Sequence, residues 1–284
     1  MECYRATKIQ EALKILNQHK NCKLIAGGTD FVIKMRKGQL NCDFVIDISS
    51  VEELKGIREV GEYIEIGAAT TFSEIVDCVL VSNRLKGLKS AAKSVGSPQI
   101  RNRGTVGGNI CNASPAADMV PALLALDSSI ILESVDSKRE ISLRDFFVDK
   151  GKTIIQPNEI LTTIKFKNPT KNQALGFYKI GLRKSLAISR ISFAVFLEID
   201  SINRIEMFRA ASGSIGKFPM REYKLEEFLI GRIFDEDALN MACRLLEEDV
   251  FDRLSGRNTA KFKSIASSGC FKRAIELGMD ECRG

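Results

Sequence analysis

The sequence has a single histidine, His19, and none of its eight cysteines (3, 22, 42, 78, 111, 243, 270 and 282) forms a C-x-x-C pair. That spacing disfavours a zinc or iron–sulfur site and any Cys/His catalytic pair, so no metal site is expected here. The thiols are expected to be reduced and mostly buried. No apolar run reaches the ~18 residues of a membrane span. The N-terminal MECYRATKIQEALKIL carries charges where a signal peptide has its apolar core, which points to a cytoplasmic protein. Lys/Arg blocks stop at two consecutive residues and RNP-type aromatic motifs are missing, so neither nucleic acid nor membrane is an expected partner. There is no G-x-G-x-x-G, which argues against a Rossmann dinucleotide site. Gly151-Lys152-Thr153 imitates the end of a P-loop, but Phe146 stands where the first glycine belongs.

What is present suits a folded α+β protein. The chain has 284 residues, a net charge of +6 and 44% hydrophobic residues, enough for one large domain or two ordinary ones. Thr7-Lys8-Ile9-Gln10 reads as a capping box, followed by Ile9, Ala12, Leu13 and Leu16 at helical spacing. Lys23-Leu24-Ile25 reads as a strand, 31–37 as a short helix stopped by Gly38, and 44–48 as a second strand. A hairpin follows over 56–66, turning at Gly61-Glu62. Thr71-Phe72-Ser73-Glu74 is a second capping box, further helix covers 85–95, and 119–126 is a buried helix. Strands are expected at 130–132 and 160–166. Beyond the breaker cluster Asn168-Pro169-Thr170-Lys171-Asn172, strands at 176–179, 188–199 and 204–211 form a meander, and helices follow near 222–229, 235–249 and 258–277. The reading is a domain over 1–170, divided at 55, and a smaller α+β domain over 171–284.

Two glycine loops carry the chemistry. Gly27-Gly28-Thr29-Asp30 lies between a strand and a helix, where successive backbone N–H groups can form an anion nest. The second, RNRGTVGGNICNASPAADM over 101–119, reads as neither helix nor strand. Gly107 and Gly108 allow close backbone approach, Thr29 and Thr105 offer hydroxyls, and Asn109 and Asn112 offer amides. Each loop alone reads as a tight turn. Together they suit one ligand with a pyrophosphate in the middle and a ring at each end, held without a Rossmann fold.

Leu24-Ile25-Ala26-Gly27-Gly28-Thr29-Asp30-Phe31 resembles the first flavin loop of the FAD-binding (medium) subunits of molybdenum hydroxylases of the xanthine dehydrogenase family. Thr105-Val106-Gly107-Gly108-Asn109-Ile110, continuing to Ala113-Ser114-Pro115-Ala116-Ala117-Asp118, resembles the second. Tyr178-Lys179 with Ala187-Ile188-Ser189, and Arg257 with Ala260-Lys261-Phe262-Lys263, are similar to the family's C-terminal domain. The resemblance implies a two-part FAD-binding domain of the vanillyl-alcohol-oxidase/PCMH type and a C-terminal domain of the carbon monoxide dehydrogenase flavoprotein type. It implies FAD as cofactor, a molybdopterin-binding large subunit and a [2Fe–2S] small subunit as partners, and NAD⁺ as electron acceptor. Xanthine oxidation in purine catabolism is the activity implied. A related carbon monoxide, nicotinate or other aldehyde or heterocycle dehydrogenase, and a stand-alone flavin oxidoreductase, are the alternatives. Carried over, the resemblance puts Lys23, Leu24, Ile25, Ala26, Gly27, Gly28, Thr29, Asp30 and Phe31 around the pyrophosphate and adenosine. Thr105, Gly107, Gly108, Asn109, Cys111, Asn112 and Asp118 would line the phosphate, ribityl and flavin part. Ile160 or Leu161 would pack on the cofactor, and Lys179 would approach the flavin. Ala117 stands where the family often has glycine.

Overall fold

A computed structural model describes residues 2–183 and 187–283 of the chain, without the side chain of Arg283. The fold divides into two units, each built from stretches that are not contiguous. One comprises Met1–Ile75, Ser97–Ala113 and Ser128–Asn168; the other comprises Val76–Gly96, Ser114–Asp127 and Pro169–Gly284. The chain therefore leaves the first unit within the glycine-rich stretch, just after Ala113, a non-glycine residue held at φ 47°.

Among the described residues the first unit contains two larger sheets and a two-stranded hairpin. Its N-terminal part is a parallel three-stranded sheet, ordered Glu2–Arg5, Phe44–Asp47, Cys22–Ile25. The helix Ile9–Gln18 covers it, burying Ala12, Leu13 and Leu16, the stripe its 3.6-residue period predicts. The expected Thr7/Gln10 capping box does not form. Glu11 reaches back to the Thr7 N–H instead, at 3.0 Å, because a carboxylate accepts more strongly than an amide oxygen. The strand Glu2–Arg5 is exposed along its length and has no apolar alternation to announce it. His19 closes the helix and stacks its ring on Phe44, with centroids 4.3 Å apart.

The other sheet of this unit has five antiparallel strands, ordered Ile57–Val60, Tyr63–Gly67, Ile160–Lys167, Ser129–Glu133, Lys138–Ser142. The turn of its hairpin has Gly61 at φ 61°. Gly151, at φ 70°, likewise turns the small hairpin of Phe147–Asp149 and Lys152–Thr153, so Gly151-Lys152-Thr153 is strand and turn rather than a phosphate loop. The capping box at the start of Phe72–Asp77 is made in full: the Thr71 N–H donates to Glu74 at 2.7 Å and the Glu74 N–H to the Thr71 hydroxyl at 3.2 Å.

The second unit is a four-stranded antiparallel sheet, Gln173–Gly181, Ser189–Ile199, Ile205–Gly213 and Met220–Arg221, as the meander predicts. Helices Glu236–Arg253 and Ala260–Arg283 pack on it through Val195, Leu197, Phe208, Leu246, Phe271 and Ile275. Lys86–Ser94 and the wholly buried Met119–Ala125 belong to the same unit. Gly87 explains how the former fits: a Cβ there would meet the Leu175 carbonyl oxygen at 2.0 Å. The thiols are all free, yet only Cys270 is buried, while Cys3 and Cys111 are exposed. The expectation of mostly buried cysteines fails because Cys22, Cys243 and Cys282 only flank the cores, while Cys42 and Cys78 lie between elements. No helix among the described residues is long and apolar enough to cross a membrane.

Candidate functional site

The two glycine loops meet in the first unit. Gly27 lies so close to the second loop that a Cβ on it would sit 1.8 Å from the Arg103 carbonyl oxygen and 2.9 Å from the Gly104 Cα. The Lys34 ammonium, in the helix Phe31–Arg36 that follows the first loop, donates to Asn112 Oδ1 at 2.6 Å, beyond the second. Loops some eighty residues apart in sequence therefore form one surface, which separate turns would have no reason to do.

The backbone of the first loop is available to a ligand. The N–H groups of Gly27, Gly28 and Thr29 donate no hydrogen bond among the described residues. Gly28 sits at φ 74°, the left-handed conformation that turns successive N–H groups toward one point. The strand Cys22–Ile25 brings the chain in, with Lys23 exposed and Leu24, Ile25 and Ala26 half-buried. Asp30 is exposed and Phe31, half-buried, opens the helix.

The second loop is built differently from the expectation. Residues 106–111 are helical, as Val106–Cys111, and the stretch also includes the end of Pro98–Arg101. Glycine opposes helix, but neighbours hold this turn in place. The buried Thr105 caps it by accepting the Gly108 N–H at 3.2 Å. The Val106 and Gly107 N–H groups donate to the carbonyls of Thr70 and Ala68, at 3.0 and 2.8 Å. Gly107 is thus a packing glycine, since a Cβ would stand 2.6 Å from that of Ala68. Its N–H, and that of Gly108, are already engaged, so neither glycine of this pair offers a backbone donor to a ligand.

The second loop contributes side chains. Asn109 Oδ1 is buried and has no hydrogen-bond partner, an arrangement that leaves an acceptor for a ligand donor. Gly108 is exposed, with only the Thr105 hydroxyl near the position of a Cβ. Cys111 is exposed and Asn112 half-buried. Three free N–H groups and an orphaned amide oxygen on one surface fit a ligand bearing an oxyanion and a hydroxyl or N–H donor, which FAD is. Ile160 and Leu161, at 1% and 4% exposure, open the strand Ile160–Lys167, and Ile160 packs within the core beside Ile46, Leu54 and Ala69. Arg139 fixes the turn before them through a two-point pair with Glu159, at 2.7 and 2.9 Å, which holds the Glu159 carboxyl below its ordinary range.

Asp118 and Lys179 belong to the second unit, where they find each other. Lys179 Nζ donates to Asp118 Oδ2 at 2.5 Å and to the Ser94 carbonyl at 2.9 Å. Their side chains are 11% and 8% exposed, so Lys179 is no surface charge. Burial pushes the Asp118 carboxyl up to about 6 even though Lys179 pulls it down. Ala117 lies outside the positive-φ residues, so alanine in place of glycine puts no strain on the backbone there. No group of three His, Cys, Asp or Glu among the described residues is placed to hold a metal ion.

A family model for the FAD binding domain in molybdopterin dehydrogenase matches residues 1–168, and the CO dehydrogenase flavoprotein C-terminal domain matches 176–277. The chain belongs to this family. It is an FAD-dependent oxidoreductase subunit, with FAD as its cofactor. Among its FAD-subunit relatives, the nicotinate dehydrogenase FAD-subunit of Eubacterium barkeri is 34% identical, over 100% of this chain and 97% of that one. The xanthine dehydrogenase FAD-binding subunit of Escherichia coli O157:H7 is 30% identical, over 92% and 89%. Among solved structures, carbon monoxide dehydrogenase from Hydrogenophaga pseudoflava shares 26% identity and a TM-score of 0.92, covering 99% of this chain and 98% of that one. The two-domain FAD-binding fold of the family is therefore the fold of this chain.

Proposed function

We propose that the chain is the flavin-carrying link of a molybdenum hydroxylase that oxidises an N-heteroaromatic substrate. In this reading it takes electrons from the [2Fe–2S] clusters of a small partner subunit and passes them to NAD⁺, while a large partner subunit carries molybdopterin and the substrate. The observation that supports it most is the contact of the two glycine loops around free backbone donors. When bound, FAD supplies the exchange between single electrons and a hydride.

The residues of this chain bind and orient. Gly27, Gly28 and Thr29 present N–H groups that would hold the pyrophosphate, matching two negative charges with donors fixed before the ligand arrives. Asn109 Oδ1 would accept from a ribityl hydroxyl or a ring N–H. Lys34, through Asn112, ties the first loop's helix to the second loop, so the surface keeps its shape when empty. Thr105 keeps Val106–Cys111 helical and thereby sets the direction of Asn109.

The substrate class rests on the relatives, of which nicotinate and xanthine dehydrogenase subunits, at 34% and 30% identity, are named for N-heterocycles. The complex isolated with this chain is expected to reduce NAD⁺ with nicotinate or xanthine and to be inactive with carbon monoxide and glyceraldehyde. Activity with either of the latter alone would overturn the substrate class. Turnover of an N-heterocycle with an artificial dye but never with NAD⁺ would overturn the acceptor.

A further inference from the structure

In the second unit, Arg190, Arg257 and Lys263 come together near the start of the long helix Ala260–Arg283, and the flavin reading makes no use of them. Lys263 lies in the first turn of this helix, half-buried, and its ammonium donates to the Ser214 carbonyl. Ser214 follows the strand Ile205–Gly213 and is held at φ 67°, a conformation a serine adopts only when its surroundings impose it. Those surroundings are visible: its N–H donates to the Pro115 carbonyl at 2.8 Å and its hydroxyl to the Ser189 carbonyl at 3.0 Å. The residue after Ser189 is Arg190, which is thereby carried to the same place. Arg257 arrives through the turn before the helix, where its carbonyl accepts the Ala260 N–H at 2.9 Å. Burial, and then the facing Arg190 and Arg257 guanidiniums, push the Lys263 ammonium below the ordinary lysine range.

Among the described residues no carboxylate pairs with Arg190, Arg257 or Lys263. Other buried or half-buried cations of this unit do have one: Arg221 has Glu226, Arg253 has Glu222 and Lys179 has Asp118. Three like charges gathered without a counter-charge repel one another, and a fixed backbone carbonyl does not neutralise an ammonium. The helix adds to the same sign. The Lys261 and Phe262 N–H groups donate no hydrogen bond among the described residues, and the positive end of a 24-residue helix lies with them.

The depth of the group selects the anion. Arg190 and Arg257 are exposed, whereas Lys263 is recessed. Two exposed guanidiniums beside a half-buried ammonium suit a small tetrahedral oxyanion, whose oxygens a guanidinium fork matches two at a time. A carboxylate on a protein surface is tied to its own backbone and reaches such a depth less readily. We propose that Arg190, Arg257, Lys263 and the first turn of Ala260–Arg283 bind a phosphate-type oxyanion, free or as the terminal phosphate of a nucleotide.

The test uses the full chain saturated with FAD, so that the first glycine loop is not what is measured. Inorganic phosphate is titrated calorimetrically at constant ionic strength in chloride, and ADP and AMP are titrated in parallel. Phosphate is expected to bind, and Arg190→Gln and Arg257→Gln are each expected to weaken it by roughly ten-fold, the loss typical of one charge-assisted hydrogen bond. Tighter binding of ADP than of phosphate assigns the nucleotide, and equal or weaker binding assigns the free anion. Both variants change exposed side chains, and unchanged melting in chloride shows that each still folds. Lys263→Met is read only beside them, since it also frees the Ser214 carbonyl. The proposal is overturned if phosphate does not bind the wild type, or if it binds wild type and both variants equally. It is also overturned if the variants leave phosphate affinity alone and instead lose the partner subunits on purification, which would make the group an interface for an acidic protein surface.

Discussion

Gly27→Ala is expected to weaken flavin binding by roughly a hundred-fold or more. The new methyl would be 1.8 Å from the Arg103 carbonyl oxygen and 2.5 Å from its carbon, and both atoms are backbone. No rotamer change relieves such a contact, so one loop must leave the other. Overpacking a core typically costs about 1–3 kcal/mol, and a backbone clash belongs at or above the upper end. If the loops separate to relieve it, a ligand that needs both loses at least that much, and about 3 kcal/mol is roughly a hundred-fold in affinity. Gly28→Ala is the informative neighbour. There the nearest atom to a Cβ is the tip of Ile25, at 3.2 Å, which can move, and the penalty is the left-handed backbone, about 1–2 kcal/mol. The expected order of affinity in FAD titrations is wild type, Gly28→Ala, then Gly27→Ala as the weakest. Equal affinities for Gly27→Ala and wild type would separate the loop contact from the cofactor.

Asp118→Ala destabilises the protein by about 3–5 kcal/mol at pH 7, because it leaves the Lys179 ammonium buried without a carboxylate. Lys179→Met is the milder change. A carboxyl already pushed up to about 6 can take a proton near neutral pH, whereas an ordinary lysine gives one up only near pH 10, so the orphaned acid neutralises itself for about 1–2 kcal/mol. The asymmetry is pH-dependent. The folded protein holds the Asp118 proton up to about pH 6, and the unfolded chain releases it near the ordinary value of 3.8. This group therefore favours folding most at acid pH, and its contribution falls as pH rises from about 4 to 6. Lys179→Met should approach wild-type stability at pH 5, while Asp118→Ala remains weak. Denaturant melts of both variants and the double variant at pH 5 and 7 measure this. Equal losses for the two single variants at pH 7 would show that the pair is not buried as described.

Much of this was open to reading in the sequence, and what was not has physical causes. Thr71 and Glu74 announced their helix because a capping box is local: both partners lie within one turn. The pairing of Gly27-Gly28 with the second loop was legible from chemistry, since neither loop alone explained its composition. Which glycine does what was not. Gly107 serves contact with Ala68, and Gly27 serves contact with Arg103, so both answer to distant chain rather than directly to ligand. The helix Val106–Cys111 was hidden for the same reason, because its support comes from Thr70 and Ala68 and outweighs the poor propensity of Gly107-Gly108. The ion pair of Asp118 and Lys179 spans 61 residues and leaves no local pattern. Both residues stood out only through resemblance to a family, which marks positions without saying what they touch.

If the two loops make one flavin site, FAD uptake reports it. The purified chain, titrated with FAD and read by its visible flavin absorbance, should take up the cofactor stoichiometrically, with the Gly27→Ala chain needing far more FAD for the same uptake. A folded wild-type chain that carries no flavin and takes up none on titration would contradict the account.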